Sequence, residues 1–290
     1  MQLIDGKKVS AEIREELAER VMTLAAEGII PGLATILVGE DPASEVYVAN
    51  KIKACNALGI KSLHHKLTEA ATQNDIISLI LKLNNDSTVN GVLLQLPLPK
   101  GLDADRILEY ILPEKDVDGL HPFNIGTLSS AKTWNGLLQK KILMSCTPYG
   151  SIILLQKYGI EIAGKNAVVV GRSNLAGKPV AMMLLANNAT VTIAHSKTIN
   201  LAEVCRAADI LVAAIGIPKM IKKDFIKPGA AVIDIGINRT PEGLCGDVDF
   251  DGAKEVAGFI TPVPGGVGAM TITMLMKNTI TACEKQNNVR

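Results

Sequence analysis

One stretch, residues 167–186, restricts the fold more than any other part of the chain. Residues 167–170 are apolar, mostly β-branched and too few for a helix, which predicts a buried strand. A glycine-bounded loop covers 171–177, and 178–186 reads as a helix with Pro179 in its first turn. Free backbone N–H groups at such a loop and helix start favour an anion. Because the spacing differs from G-x-G-x-x-G, the stretch alone also fits an ordinary tight turn.

The next strand of this unit, residues 190–194, ends in a His-Ser-Lys tip at 195–197. In a dinucleotide-binding fold this tip faces the adenosine ribose, where NAD enzymes usually carry a carboxylate for the 2′-hydroxyl. Residues 171–202 contain three cationic side chains and no acidic one. Arg172 and Ser196 could instead hold a 2′-phosphate, which favours NADP over NAD. The alternative is that these cations are only solvated surface residues.

The composition of the chain excludes several classes of function. Its 290 residues are enough for two domains with separate cores. A net charge of +1, 20% charged residues and 3% aromatic residues offer neither the basic surface nor the stacking side chains of a nucleic-acid-binding protein. No apolar run approaches the ~18 residues that cross a bilayer, so we expect no membrane association.

The cysteines and the first residues predict a cytoplasmic protein. Five scattered cysteines without a C-x-x-C pair are typical of reduced thiols rather than of disulfides or a zinc site. The four histidines show no metal-ligand spacing either, so we expect no metal. Residues 1–13 lead into a helix that we expect Ser10 to cap, without an apolar signal core or an Arg/Ser-rich transit segment.

The order of apolar segments predicts an α/β protein. Up to residue 111 strands alternate with helices, as in a parallel α/β layer. Residues 113–119 then form a charged, turn-rich segment of the kind that often carries function, although a plain crossover with solvated Asp116 and Asp118 fits as well. A helix start with Thr147 as N-cap follows, and we place the domain crossing near residue 140.

The second half of the chain continues the parallel sheet. Residues 210–214 and 231–235 read as strands, and each is followed by a glycine at the sheet edge where ligands bind in open α/β folds. A Pro/Gly-rich loop over 261–268 precedes a final helix that begins at about residue 270.

Four side chains before residue 119 form the candidate chemical site. Tyr47 and Lys51 are four residues apart on a predicted helix, so they share one face, where a ring can stack a flat ligand beside a proton-transfer group. Gln95 ends an apolar strand, where an amide can donate to and accept from a ligand. The Asp118 carboxylate could bind the amidine-like edge of a pterin through paired hydrogen bonds. Each of these residues could also be an ordinary polar residue turned towards solvent.

Taken together, these residues resemble the bifunctional methylenetetrahydrofolate dehydrogenase/cyclohydrolase family, also called the FolD family. The matching motifs occur in order and span nearly the whole chain. At two positions, Ser145 and Ala269, the family usually has proline. The motifs are Ser44-x-x-Tyr47-x-x-x-Lys51-x-Lys53, Gln95-Leu96-Pro97-Leu98-Pro99, Lys115-Asp116-Val117-Asp118-Gly119, Gly171-Arg172-Ser173, His195-Ser196-Lys197-Thr198 and Pro262-Val263-Pro264-Gly265-Gly266-Val267-Gly268.

The resemblance implies a two-domain fold. A folate-binding catalytic α/β domain would cover residues 1–140, and a Rossmann-type NADP-binding domain would cover 141–269. The C-terminal helix, 270–290, would return to the first domain, and the folate would lie in the cleft between the domains. The resemblance also implies a cytoplasmic homodimer that pairs through the cofactor domain, and a role in one-carbon metabolism and purine biosynthesis.

The resemblance further implies an activity and a set of site residues. NADP⁺ would oxidise 5,10-methylenetetrahydrofolate, and hydrolysis of the methenyl product would give 10-formyltetrahydrofolate. The implied roles are catalysis by Lys51, Gln95 and Tyr47, tetrahydrofolate binding by Tyr47, Asp118, Pro262 and Gly266, and NADP binding by Gly171, Arg172, Ser173, Ser196 and Ile237.

Two other functions remain open from the sequence. One is another two-domain NADP oxidoreductase, similar to shikimate dehydrogenase, which would not need the Tyr/Lys/Gln/Asp set. The other is a catalytically silent NADP-binding sensor, which loss of Lys51 or Gln95 would have favoured; both residues are present.

Overall fold

The computed structural model describes residues 1–289, which divide into two compact units. We name each unit after its main sheet. The six-stranded unit consists of Met1–Glu12, Leu128–Lys140 and Ser145–Met274. The three-stranded unit consists, within the described residues, of Ile13–Thr127, Lys141–Met144 and 275–289.

Strands and helices alternate along most of the chain, as predicted. In chain order they are β1 (Gln2–Leu3), α1 (Gly6–Ala26), β2 (Gly32–Val38), α2 (Pro42–Leu58), β3 (Lys61–Leu67), α3 (Gln73–Asn84), β4 (Gly91–Leu94), α4 (Ala104–Leu108), α5 (Pro122–Ser130), α6 (Trp134–Gln139), α7 (Cys146–Lys157), β5 (Asn166–Val170), α8 (Gly177–Ala186), β6 (Thr190–Ala194), α9 (Leu201–Arg206), β7 (Ile210–Ala213), β8 (Ala231–Asp234), β9 (Asn238–Thr240), β10 (Gly243–Cys245), α10 (Phe250–Ala253), β11 (Phe259–Ile260) and α11 (Val267–Gln286).

The six-stranded unit is built on a parallel sheet of order β1-β11-β8-β7-β5-β6. Strands β5, β7 and β8 are almost entirely buried, as expected when helices cover both faces of a parallel sheet. After β5 the chain forms β6 on one side and β7 on the other, so the strand order reverses beside β5. Ligands bind at the carboxyl ends of the strands at such a switch point.

The three-stranded unit contains a parallel sheet of order β3-β2-β4. Every residue of β2 and β4 is buried. One face packs against α3, which starts with a capping box. The Thr72 side chain accepts from the Asp75 N–H, and the Asp75 side chain accepts from the Thr72 N–H. The first half of the chain therefore forms the parallel α/β layer that its periodicity predicts.

The C-terminal part of α11 belongs to the three-stranded unit, which confirms the predicted return of the last helix. Its buried Asn278 donates from Nδ2 to the carbonyl oxygens of Val117 and Met144, both at 2.8 Å. One turn and a half later, Glu284 accepts from Arg20 at 2.7 Å. These contacts involve residues far apart in sequence, so local patterning could not predict them.

Two expectations about local structure were wrong. Helix α1 begins at Gly6 rather than after Ser10, because the Asp5 carboxylate accepts from the N–H groups of Lys7 and Lys8. Helix α7 begins at Cys146, and the Thr147 hydroxyl bonds the Thr271 hydroxyl at 2.9 Å instead of capping. Helices α5 and α6 were not predicted, because their apolar residues are too few to show a helical period. None of the helices within residues 1–289 is long and apolar enough to cross a bilayer.

Candidate functional site

Lys51 and Gln95 are hydrogen-bonded in the three-stranded unit. The Lys51 ammonium donates to Gln95 Oε1 at 2.8 Å, and Gln95 Nε2 donates to the Leu96 carbonyl at 2.6 Å. Both ends of the amide thus have partners, which fixes its acceptor oxygen towards the lysine. Gln95 is 8% exposed and its N–H continues the sheet by donating to the Ile36 carbonyl. The pair therefore lies at the carboxyl end of β4.

Helix α2 presents Lys51 and Tyr47 from one side. The helix starts at an N-cap, Asp41, whose carboxylate accepts from the Ser44 N–H at 2.8 Å. It ends at Gly59 in the left-handed conformation, the usual helix terminator. Tyr47 is 44% exposed, which leaves its ring free to meet a flat ligand. A large exposed aromatic one turn before a half-buried lysine is unusual for a packing role alone.

The segment 115–119, which carries Asp118, is fixed by buried polar groups. Lys115 is 6% exposed, and its ammonium donates to the carbonyl oxygens of three residues at the end of α3, at 2.8–3.1 Å. Burial lowers the pKa of Lys115. Asp116 is 1% exposed and its carboxylate accepts from the His121 N–H and from Asn124 Nδ2. Burial raises the pKa of Asp116.

These contacts correct the reading of this segment as a crossover with a solvated Asp116. Asp116 is buried, and the bridge between Val92 and Asp116 is parallel, so the chain runs beside β4 towards the carboxyl edge that holds Gln95. Asp118 is half-buried two residues further on. The structural roles of Lys115 and Asp116 were not recognised from the sequence, because a charged residue between turn residues carries no signal of burial.

In the six-stranded unit, the glycine loop after β5 lies very close to neighbouring backbone atoms. Gly171 has φ +129°, and a Cβ there would lie 2.1 Å from the Ala214 carbonyl oxygen. A Cβ on Gly177 would lie 2.3 Å from the Gly171 carbonyl oxygen. Only glycine fits either position, so the loop lies tightly between β5, β7 and the start of α8. Ser173 is exposed, and its hydroxyl accepts from the Ala176 N–H at 3.2 Å.

The other predicted cofactor residues lie at the carboxyl edge of the same sheet. Arg172 follows β5 and Ser196 follows β6, and both are exposed. The tip after β6 is held by the His195 N–H, which donates to the Thr198 hydroxyl at 2.9 Å. Ile237, beyond β8, is 47% exposed.

The predicted Pro262 and Gly266 lie on the loop that follows β11. Pro262 is half-buried and Gly266 is buried. A Cβ on Gly266 would lie 2.5 Å from the Pro262 carbonyl oxygen, so the loop closes on itself. Ser145 donates to the Leu175 carbonyl of the glycine loop at 2.9 Å. Within residues 1–289 no three His, Cys, Asp or Glu side chains are grouped so that they could hold a metal ion.

A parallel sheet whose order reverses beside a glycine loop defines a dinucleotide-binding α/β protein, here with a second unit that carries a lysine–glutamine pair. Residues 4–118 match the family model described as tetrahydrofolate dehydrogenase/cyclohydrolase, catalytic domain. Residues 145–287 match the model of the NAD(P)-binding domain of the same enzymes. The chain belongs to the tetrahydrofolate dehydrogenase/cyclohydrolase family.

Similar proteins extend over the full chain. The bifunctional protein FolD of Moorella thermoacetica is 55% identical over 285 residues, which are 98% of this chain and 99% of the relative. The crystal structure of the bifunctional FolD enzyme from Campylobacter jejuni aligns with a TM-score of 0.94 and 47% identity, covering 98% of this chain and 99% of that chain. The FolD structure from Trypanosoma brucei, complexed with NADP cofactor and inhibitor, aligns with a TM-score of 0.90 and 40% identity over 98% and 97% of the two chains.

The family expected from the sequence is therefore confirmed, and so is the α/β fold with catalytic and NADP-binding parts. The expected function, one-carbon folate interconversion by a dehydrogenase/cyclohydrolase that uses NADP, is confirmed at the level of this family. The shikimate-dehydrogenase-like reading and the silent sensor are not favoured. The roles of the individual site residues stay predictions.

We expect Asp116→Ala to destabilise the three-stranded unit by roughly 2–4 kcal/mol, because it leaves buried donors of His121 and Asn124 without their acceptor. The half-buried neighbour offers a matched control: Asp118→Ala should cost less than about 1 kcal/mol. Urea unfolding of both variants measures the difference. Equal losses would show that burial does not separate the two aspartates.

The stability difference between the wild type and Asp116→Ala should depend on pH. Since burial raises the pKa of Asp116 above its unfolded value, the folded state binds the proton more tightly than the unfolded state. The difference in the free energy of unfolding between the wild type and Asp116→Ala is therefore greatest at about pH 4, and it declines as the pH rises.

Proposed function

We propose that this chain oxidises 5,10-methylenetetrahydrofolate with NADP⁺ and then hydrolyses the methenyl product to 10-formyltetrahydrofolate. The observation that carries the proposal is the 2.8 Å hydrogen bond between Lys51 and Gln95 at the end of β4. It supplies a placed proton-transfer group in the unit that matches the family's catalytic domain, while the unit with the glycine loop matches its NAD(P)-binding domain.

The first step is hydride transfer, which mainly requires placement. A hydride leaves the one-carbon bridge for NADP⁺, and the resulting cation is spread over two folate nitrogens, so no base has to remove a proton. Tyr47, with its exposed ring, stacks on the folate, and Asp118 accepts hydrogen bonds from the pterin. Pro262 and Gly266 provide further substrate contacts from the loop after β11.

The second step is ring opening by water, which requires a proton to be moved. As the neutral amine, Lys51 takes a proton from the water that attacks the one-carbon unit. It returns this proton to the folate nitrogen whose bond to that unit breaks, and the remaining hydroxyl proton leaves to solvent as the formyl group forms. Gln95 suits this task because a neutral amide orients the lysine without the ion pair that a carboxylate would form. The Gln95–Leu96 hydrogen bond keeps the amide in that orientation.

The cofactor is bound by the loops at the carboxyl edge of the six-stranded sheet. The pyrophosphate lies at the loop of Gly171, Arg172 and Ser173, where the backbone can approach closely. Arg172 and Ser196 hold the 2′-phosphate, and Ile237 contacts the nucleotide. No carboxylate stands among residues 171–202 to repel that phosphate.

We further propose a domain division and a setting. Residues 1–140 with 270–290 form the folate-binding domain, and 141–269 form the NADP-binding domain. These bounds differ from the two compact units, because Met1–Glu12 and Leu128–Lys140 belong to the six-stranded unit. The protein works in the cytoplasm, without a nucleic-acid partner, and its 10-formyl product feeds purine biosynthesis. It acts as a homodimer that pairs through the cofactor domain.

Lys51→Met should separate the two activities. The variant should still form NADPH from 5,10-methylenetetrahydrofolate and NADP⁺, because hydride transfer needs no base, but the methenyl intermediate should disappear no faster than its spontaneous hydrolysis. Following NADPH and methenyl absorbance together measures both steps, and the wild type should show little methenyl build-up. Equal loss of both activities would contradict this division of roles. Absence of turnover in the wild type with either NADP⁺ or NAD⁺ would contradict the proposed function itself.

Arg172→Ala should narrow the preference for NADP⁺ over NAD⁺ by roughly tenfold to a hundredfold, the loss expected for one charge-assisted hydrogen bond to a phosphate. The ratio of kcat/KM values for the two cofactors measures it. Lys165→Ala removes an exposed cation from the amino edge of the same sheet, just before β5, and should leave the ratio unchanged. An unchanged ratio in Arg172→Ala would remove the phosphate role.

The proposed homodimer should pair near the free edge of the six-stranded sheet. Strand β6 ends the strand order, and Ile193 on it is 36% exposed. Light scattering should give a mass of two chains for the wild type and of one chain for Ile193→Lys. Leu81→Lys, at a 46% exposed leucine of the three-stranded unit, should remain dimeric. A monomeric wild type, or a dimeric Ile193→Lys variant, would contradict this interface.

A further inference from the structure

Two aspartates that the proposed mechanism does not use are buried at the carboxyl edge of the six-stranded sheet. Asp234, the last residue of β8, is 3% exposed, and Asp247, which follows β10, is 0% exposed. The Asp247 N–H donates to Asp234 Oδ1 at 3.0 Å, so the two are directly connected. Two carboxylates are rarely buried side by side unless each has specific donors.

Asp247 binds the loop that follows β7. Its Oδ2 accepts from the N–H groups of two consecutive residues, Ile215 at 2.6 Å and Gly216 at 2.9 Å. Its Oδ1 accepts from Asn238 Nδ2 at 2.8 Å, in the chain just after Ile237. One carboxylate thus joins the loop after β7 to the segment after β8.

Asp234 supports this arrangement from the strand below. Its carboxylate accepts from the N–H groups of Gly236 at 2.9 Å and Val248 at 2.9 Å, in addition to that of Asp247. Its own N–H donates at 2.8 Å to the hydroxyl of Thr261, the residue before Pro262. Burial raises the pKa of Asp234 to about 7, and the charge of Asp247 adds to this effect.

Two glycines make room for the carboxylates. A Cβ on Gly236 would lie 2.2 Å from the Asp247 carboxyl group, and a Cβ on Gly246 would lie 1.8 Å from Asp234 Oδ2. Asp247 therefore packs against a glycine two residues after Asp234, and Asp234 packs against the glycine just before Asp247. This reciprocal packing shows that the loops and the carboxylates are fitted to each other, and that a larger side chain at 236 or 246 would separate them.

We propose that Asp247 is a positioning residue for NADP: it holds the loop after β7 and the Ile237–Asn238 segment in the conformation that the cofactor requires. The inference rests on the proposed function, since it deepens the cofactor site described there. The loops after adjacent parallel strands line the ligand crevice at the switch point of such a sheet. Without an acceptor for its N–H groups, the Ile215–Gly216 turn would have to rearrange to find other partners.

The first test is Asp247→Ala, compared with Asp209→Ala. Asp209 lies at the amino edge of the same sheet, where its carboxylate also joins chain segments by accepting from the Asn166 N–H and from Lys227. We expect Asp247→Ala to raise the Kd for NADPH and the KM for NADP⁺ by roughly tenfold to a hundredfold, the loss expected when hydrogen bonds to a charged acceptor are removed. Hydrolysis of added methenyltetrahydrofolate, which needs no nucleotide, and the KM for the folate should not change. Asp209→Ala should keep the wild-type Kd.

The conservative variant adds a second readout. In Asp247→Asn the new amide can still accept from Ile215 and Gly216 with its oxygen, and its nitrogen can donate to Asn238 once that side chain reverses. We therefore expect the Kd for NADPH to stay within about threefold of the wild type. This rescue distinguishes loop positioning from a requirement for charge.

The proposal is overturned in two ways. A folded Asp247→Ala protein with wild-type NADPH affinity would contradict it. So would a parallel fall of NADPH affinity, dehydrogenase and cyclohydrolase activities that matches the fall in Tm, since that is the result of a structural role alone. If Asp247→Ala does not fold, Asn238→Ala removes a single contact and should raise the Kd roughly threefold to tenfold; an unchanged Kd contradicts the proposal.

Failure of the proposed function would be recognised separately. A wild-type protein that binds no NADPH and turns over no folate contradicts the proposed function, whatever the variants do. A wild type with normal turnover and unaffected Asp247 variants contradicts only the positioning role.

Discussion

The six-stranded unit depends on one close contact, between Gly171 and the carbonyl oxygen of Ala214. A Cβ at this position would collide with the Ala214 carbonyl oxygen. Because glycine has no side chain, the chain after β5 can pass directly over the end of β7 and reach the start of α8. This places the glycine loop at the point where the strand order reverses. The predicted cofactor residues lie on neighbouring loops, and the position at which these loops begin depends on this contact.

Buried polar groups support the candidate functional segments in both units. In the three-stranded unit, Lys115 and Asp116 are buried on the segment that carries the half-buried Asp118. In the six-stranded unit, Asp234 and Asp247 are buried beneath the segment that exposes Ile237. A buried ionisable group with specific partners tolerates few alternative conformations, because each alternative leaves a donor or acceptor without a partner.

The two units of the chain carry different candidate sites. The lysine–glutamine pair lies in the unit that matches the family's catalytic model, and the glycine loop lies in the unit that matches its NAD(P)-binding model. The proton transfer of the proposed hydrolysis uses the lysine–glutamine pair and needs no nucleotide, whereas the proposed hydride transfer needs the bound nucleotide as well. Variants can therefore be assigned to one step or to the other, and the nucleotide-free hydrolysis serves as an internal control for damage to the cofactor site.

The sequence by itself determined the local elements and the family. Apolar runs predicted the buried strands, because this signal acts over a few neighbouring residues. The order of motifs, from Tyr47 to Gly268, identified the family. The residue types at Lys51 and Gln95 suggested chemistry, but spacing alone could not place them together.

Only the tertiary structure decided which polar residues are buried and what they hold. Asp116 looked like a solvated turn residue, and Asp234 and Asp247 gave no signal, because burial of a charge depends on donors that come from distant parts of the chain. Helices α5 and α6 were missed for a related reason: their few apolar residues become a buried face only when the rest of the fold packs against them. The 2.8 Å contact between Lys51 and Gln95 likewise required the parallel pairing of β2 and β4, a long-range event that no local pattern encodes.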